Sequence, residues 1–392
     1  MPEADTTQKS PAFRKSLGLF ELVSLGVGGT IGSGIFIVPG VAARISGPAS
    51  LLAWVIVAIS AMCVLLSLAG ISSRFRENGS FFSLFSSVFG ERIALPLILL
   101  YLVASVFGIA TIAAGIGQYL GYLGFQQILI IEIAIIVLFC GINIIGISLS
   151  GKIENVLTVI KTVPLVIIAL LLLPHIRPVN YIPSAGIAAP AIIATVIIVY
   201  WPFTGFEISA IPVEETKDVS LIRRSLLLVM IIVTSVYLLL NVALIGSVGS
   251  EALAASPAPV ATAASLLFSS SGTVVAVIGI IAMLSALNAY IIATSRVLQN
   301  VSARYSVPYL SGLGNRGTPI ASLIVSCGVC AGLLFVTNRF DVLASISVIA
   351  TLIPYIFFCL SSWISVPSVR SRSIAGLGAL STAAILVLYF FV

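Results

Sequence analysis

The sequence predicts an all-α polytopic membrane protein: two five-helix inverted repeats with broken helices 1 and 6, and an eleventh helix appended. Three observations predict it. Of the 392 residues, 59% are hydrophobic and 8% charged, with a mean hydropathy of +1.22, where water-soluble domains carry about a quarter charged residues. Apolar runs long enough to cross about 30 Å of hydrocarbon recur eleven times along the chain. Two of these runs are interrupted by glycine, proline and small polar residues.

Taken in order, the runs lie at roughly 17–43, 49–72, 94–123, 128–147, 154–174, 190–212, 223–247, 272–297, 318–336, 340–363 and 374–392. Residues 1–16 read as a polar cytoplasmic tail, 17–174 as the first repeat, 190–363 as the second and 374–392 as an additional helix. No cleavage signal follows Met1, so the opening run is expected to be retained, and no soluble domain is expected after the last. With a cytoplasmic N-terminus, fifteen of the nineteen Lys and Arg residues fall inside: Lys9, Arg14, Lys15, Arg74, Arg76, Arg92, Lys152, Lys217, Arg223, Arg224, Arg296, Arg304, Arg316, Arg370 and Arg372. Arg44, Arg177 and Arg339 face out, and Lys161 lies within a run. This asymmetry sets the orientation. An odd number of spans then places the C-terminus outside a cell membrane.

The first run contains "GVGGTIGSGIF", Gly26 to Phe36. Glycines there either permit close helix packing or unwind a turn, and unwound backbone is tolerated in hydrocarbon only where it lines a cavity or binds something. The sixth run breaks at "WPFTGFE", where Pro202 removes a backbone donor and Gly205 loosens the next turn. Broken first and sixth helices are what two inverted repeats produce when their breaks meet near the midplane.

These segments carry a resemblance. "GVGGTIGSGIFIVPG" is similar to the first-helix motif of the amino acid–polyamine–organocation superfamily, "WPFTGFE" with "EETKD" to its sixth helix, "SGKIENVLTVIKTVPL" to its fifth, and "RGTPIAS" to the opening of its ninth. The resemblance covers nearly the whole chain, although many members have twelve or more spans; the oligomeric state stays open. It implies a secondary active transporter of amino acids, proton-coupled and sodium-independent, working by alternating access. An amino acid/amine antiporter or an exporter is the alternative it leaves.

By position in the motifs, the resemblance assigns the substrate carboxylate to the backbone and hydroxyl around Ser33 and Gly34. The ammonium goes to carbonyls at Thr30, Trp201 and Thr204, with Ile31 and Phe203 in the same unwound segments. Tyr290 takes the place of a substrate-facing aromatic, and Gly108 and Thr111 line the side-chain pocket. Lys161 stands where sodium-coupled cousins bind an ion, its acceptors the carbonyls of Gly28 and Ile31; an ammonium out of water can exchange a proton as helices move. Its other reading is a snorkelling lysine. Glu207 is a second candidate for the coupled proton, or else a helix-end carboxylate. Glu21 is placed in a cytoplasmic gate, and Glu132, in the middle of the fourth run, has no motif to explain it.

Other classes fit poorly. Basic residues scattered singly between apolar runs form no nucleic-acid stripe. Cys63, Cys140, Cys327, Cys330 and Cys359 sit in apolar runs, and the Cys327/Cys330 spacing lacks a second pair, while His175 is the one histidine and lies in a loop, so no metal or other cofactor is expected. Neither HExxH nor GxSxG occurs, against an enzyme, and no filter repeat or ring of charge suggests a channel. The partners expected are a small amino acid, protons and the lipid bilayer.

Overall fold

The computed structural model describes residues 17–72, 81–145, 151–183, 188–207, 216–218, 220–314 and 317–391. The tail 1–16, the basic residues Lys9, Arg14, Lys15, Arg74, Arg76 and Arg316, the side chain of Lys152, and residues 208–215 of the sixth run and its motif lie outside them.

Helices occupy the apolar runs. In chain order they are α1 (Leu19–Thr30), α2 (Ser33–Ser46), α3 (Ser50–Ile71), α4 (Phe81–Phe89), α5 (Glu91–Tyr122), α6 (Ile128–Ile145) and α7 (Gly151–Leu172). There follow α8 (Ala189–Tyr200), α9 (Ser220–Ala255), α10 (Pro259–Ala264), α11 (Ser271–Arg304), α12 (Ile320–Val336), α13 (Phe340–Ser365) and α14 (Val369–Phe390). Among the described residues eight helical stretches are long and apolar enough to cross a membrane, with Leu19–Ile71 taken as one; Ala189–Phe203 and Ile320–Val336 are shorter. The sixth run falls short because its helix stops at the break.

Two short helices, α4 and α10, answer to no expected span. Nine and six residues are too few to register as a crossing. Lengths of α5, α9 and α11 exceed their apolar runs, since polar ends continue the helix into the interfacial zone. In α9 the turn comes at Gly249, whose φ of 81° ends regular helix before Ala255.

Packing follows the side-chain period. Along α6 the buried residues are Glu132, Ile136, Cys140 and Asn143, one stripe at helical spacing, while Ile130, Val137 and Leu138 point outward. Similar exposed apolar residues, Ile59, Phe335 and Leu377 among them, ring the bundle; in water such a surface would aggregate, and in lipid it is ordinary contact. α1, α2, α3 and α9 pack together, and α5 packs on α11 and α13. One end of the bundle carries Leu17, Lys217 and the Arg304–Glu91 ion pair; the other carries Arg44 and Asp341.

Candidate functional site

The glycine tract is only partly unwound. Gly26, Gly28 and Gly29 remain in α1, and the break is confined to Ile31 and Gly32, with Ile31 at ψ 89° and Gly32 at φ −133°, ψ −141°. The Thr30 hydroxyl donates back to the Gly26 carbonyl at 2.7 Å. Helix resumes at Ser33, so the first N–H groups of α2 and the last carbonyls of α1 point into one small volume.

The sixth run breaks as its sequence demands. α8 stops at Tyr200, Trp201–Phe203 form a single 3₁₀ turn, Thr204 is extended, and Gly205 takes φ +93°, a conformation L side chains resist. Thr204 donates its hydroxyl to the Trp201 carbonyl at 2.8 Å.

The two breaks interlock at glycines. A Cβ on Gly34 would lie 2.6 Å from the Pro202 Cα, and one on Gly205 would lie 2.8 Å from the Gly29 carbonyl oxygen. Tyr237 of α9 ties them from behind: its hydroxyl is 2.9 Å from the Thr30 carbonyl and 3.0 Å from that of Pro202. Trp54 and Phe203 pack against the Tyr237 ring, with centroids 5.7 and 5.2 Å away.

Lys161 lies midway along α7 and is 1% exposed. Its ammonium donates to the Gly28 carbonyl at 2.6 Å and to the Ser285 hydroxyl of α11 at 3.3 Å. Burying the charge costs at least about 2.5 kcal/mol, while hydrogen bonds to charged groups return about 1.5–3 kcal/mol each. At these magnitudes the two bonds together offset the cost, and they join α1, α7 and α11. One turn earlier, Thr158 donates to the Ser24 carbonyl at 3.0 Å.

Glu207 is also buried. Its carboxyl receives the Tyr101 hydroxyl at 3.2 Å, the Tyr355 hydroxyl at 2.7 Å and the Gly205 N–H at 3.1 Å. Both tyrosines can accept as well as donate, so the geometry tolerates a proton on the carboxyl. Beneath it an aromatic stack continues through Phe81 and Phe358, 5.0 Å apart, to Phe85, stacked on Phe358 at 5.0 Å. This stack joins α4 to α5 and α13. At the Leu17 end the Lys217 N–H donates to the Leu17 carbonyl at 3.0 Å. Glu21 caps its own helix, accepting from the Gly18 N–H at 2.9 Å.

Between the breaks lies a cavity walled by Gly29, Thr30, Gly32, Ser33, Gly34, Ile112, Trp201, Thr204, Ala286 and Tyr290. It holds about 10 Å³, room for one water. Trp201 donates its indole N–H to the Ser33 hydroxyl at 3.2 Å. Trp201 and Tyr290 are in contact at 6.1 Å between ring centroids. Gly108 lies against both rings. Thr111 bonds its own helix at Phe107, and the wall at that level is its neighbour Ile112. Phe203 and Ile31 are buried outside the wall. Trp201→Ala or Tyr290→Ala should raise the KM for substrate about tenfold, the weight of a buried aromatic contact; uptake assays showing wild-type KM in both would leave these rings as packing alone.

Sequence reasoning passed over Tyr237, Tyr101, Tyr355, Ser285 and Ile112. The tyrosines did leave a signal: a mid-span Tyr must find an acceptor for its hydroxyl, and the broken helices supply bare carbonyls. Among the described residues no three His, Cys, Asp or Glu side chains gather as a metal site.

Comparison with known proteins completes the picture. The sequence profile described as amino acid permease matches residues 17–392. The inner membrane transport protein YbaT of Escherichia coli is 29% identical over 306 residues, 76% of this chain and 71% of its own. The serine/threonine exchanger SteT of Bacillus subtilis is 27% identical over 88% of this chain and 81% of its own. The L-methionine/branched-chain amino acid exporter YjeH of Escherichia coli is 25% identical, with 84% and 80% covered.

Proposed function

This chain belongs to the amino acid permease family, a family of transporters and not of enzymes, and from that premise we propose that it is a secondary active carrier driven by protons, without sodium. The observation that carries the proposal is the Lys161 ammonium, 2.6 Å from the Gly28 carbonyl and 3.3 Å from Ser285. A fixed cation there joins the first broken helix to α11 as a bound sodium ion would, and its proton is the piece that can be exchanged.

Amino acid transport itself is the shared property of the family. Within it, the zwitterion is held at the two breaks: carboxylate at the N-terminal turn of α2, on Ser33 and Gly34, and ammonium at the carbonyls of Thr30, Trp201 and Thr204. The small cavity is the closed form of this site, and an amino acid enters as Trp201 and Tyr290 separate. The Leu17 end is cytoplasmic, in keeping with the basic residues Arg92, Lys217, Arg223, Arg224, Arg296, Arg304, Arg370 and Arg372. Repeats 17–174 and 190–363 move against each other around the site.

Purified protein in proteoliposomes tests this. An inward proton gradient should accumulate an amino acid chosen by thermal-shift screening, and a sodium gradient should drive nothing. Sodium-driven uptake would reject the coupling, and the absence of saturable counterflow would reject the carrier. Strict one-for-one exchange without net uptake would identify an antiporter, the mode named for the SteT relative.

A further inference from the structure

We propose that the cleft at the Arg44 end is an acquisition site for zwitterionic α-amino acids, in which Arg44 takes the carboxylate before the substrate reaches the breaks; the proposal rests on the transport reading above. The cleft encloses about 560 Å³ between α2, the end of α5, residues 254–257 and the start of α13, within the range of small-molecule sites. A second cleft of about 410 Å³ adjoins it, and Arg44 lines both. Ile37 lines the first, one helical turn along α2 from Ser33 of the central cavity. From Ser33 to Arg44 along α2 is roughly 16 Å, so α2 runs from the central site to the cleft.

Charge pairing inside the cleft is uneven. Asp341 is held by Arg339 through two bonds, Nη2 to Oδ2 at 3.0 Å and Nε to Oδ1 at 3.4 Å. Arg44 approaches the same Oδ2 from α2 only to 3.6 Å, too far for a good hydrogen bond. One carboxylate thus serves two guanidiniums, and Arg44 keeps most of its five-donor fork for another planar anion. The α-carboxylate of an amino acid fits that fork bidentately. Its ammonium then finds Asp341 on one side or Glu251, which lines the adjoining cleft, on the other. A decarboxylated amine offers Arg44 nothing and is repelled by it. Arg44 is 55% exposed, so the contact is worth little at equilibrium and acts on capture and on choice of substrate, with strong salt dependence.

Uptake from the Arg44 side of right-side-out proteoliposomes tests the site. Arg44→Gln should raise KM about fivefold at low ionic strength with kcat unchanged, and the gap should close at about 0.5 M salt, where charges are screened within a few ångströms. Arg44→Lys should recover part of the loss. Arg339→Gln releases Asp341 to claim Arg44 fully and should raise KM in the same direction, which keeps the proposal testable if Arg44→Gln does not fold. Wild-type KM and salt dependence in these variants, or a fall in kcat alone, would overturn the acquisition site while leaving transport intact. If the wild type itself takes up no amino acid, the transport reading fails and the acquisition site with it.

Discussion

Lys161→Ala should abolish accumulation of substrate driven by a proton gradient while sparing exchange of labelled for unlabelled amino acid across the same vesicles. The ammonium joins α7 to the Gly28 carbonyl and to Ser285 on α11, and removing it takes away the buried cation that holds these helices together in the proposed cycle. Exchange needs only that the site open and close; accumulation needs a proton bound in one conformation and released in the other. Loss of the bonds leaves a buried carbonyl short of a donor, a cost of about 1–3 kcal/mol, so the variant should melt lower but remain folded. Lys161→Gln keeps a donor without the charge and should behave as alanine does in accumulation. Glu207→Gln belongs in the same experiment, because its carboxyl, bonded by Tyr101, Tyr355 and Gly205, is the rival proton carrier. If Lys161→Ala accumulates normally and Glu207→Gln does not, the coupled proton resides on the glutamate and the lysine is a structural tie.

Gly34→Ala should weaken substrate binding at least severalfold, and Gly34→Leu should abolish it. A methyl group at this position would sit 2.6 Å from the Cα of Pro202 and 2.9 Å from two atoms of its ring. Backbone cannot step aside as a flexible side chain can, so α2 must draw back from the sixth-run break. Overpacking costs about 1–3 kcal/mol, which is about five- to 150-fold in affinity if the closed site bears all of it. Gly32→Ala meets only the Ala286 methyl, at 2.9 Å, and should lose less. Binding titrations in detergent, with melting curves to confirm folding, decide the matter; wild-type affinity in Gly34→Ala would remove the breaks from the substrate site.

How much of this was legible in the sequence depends on what each residue type can say by itself. Glycines announced the first break, but a glycine that unwinds a helix and one that admits a neighbour look alike. Gly28 and Gly29 stay helical, with the Gly28 carbonyl accepting from Lys161 and that of Gly29 close to Gly205. The sixth break was more sharply written, because proline and a positive-φ glycine admit fewer interpretations. Thr111 against Ile112 shows the limit of register: one residue along a helix turns the side chain by about 100°, enough to exchange pocket for packing. Glu132, read as mid-span, lies four residues from the start of α6 against Gly117 of α5; the run at 128–147 already put it near that end, and what the pattern does not carry is the neighbour it meets. Contacts such as Tyr355 with Glu207 join residues 148 positions apart, and no local pattern encodes them.

A hydroxyl has one hydrogen, and Tyr237 holds it within reach of two carbonyls that belong to different broken helices. Passing that hydrogen from Thr30 to Pro202 changes no tally of bonds, so the tyrosine can lean with either segment and still keep hold of one. In the proposed cycle one broken segment can therefore shift against the other without leaving the hydroxyl unbonded, and no bond has to be lost and remade at this point for the two to part.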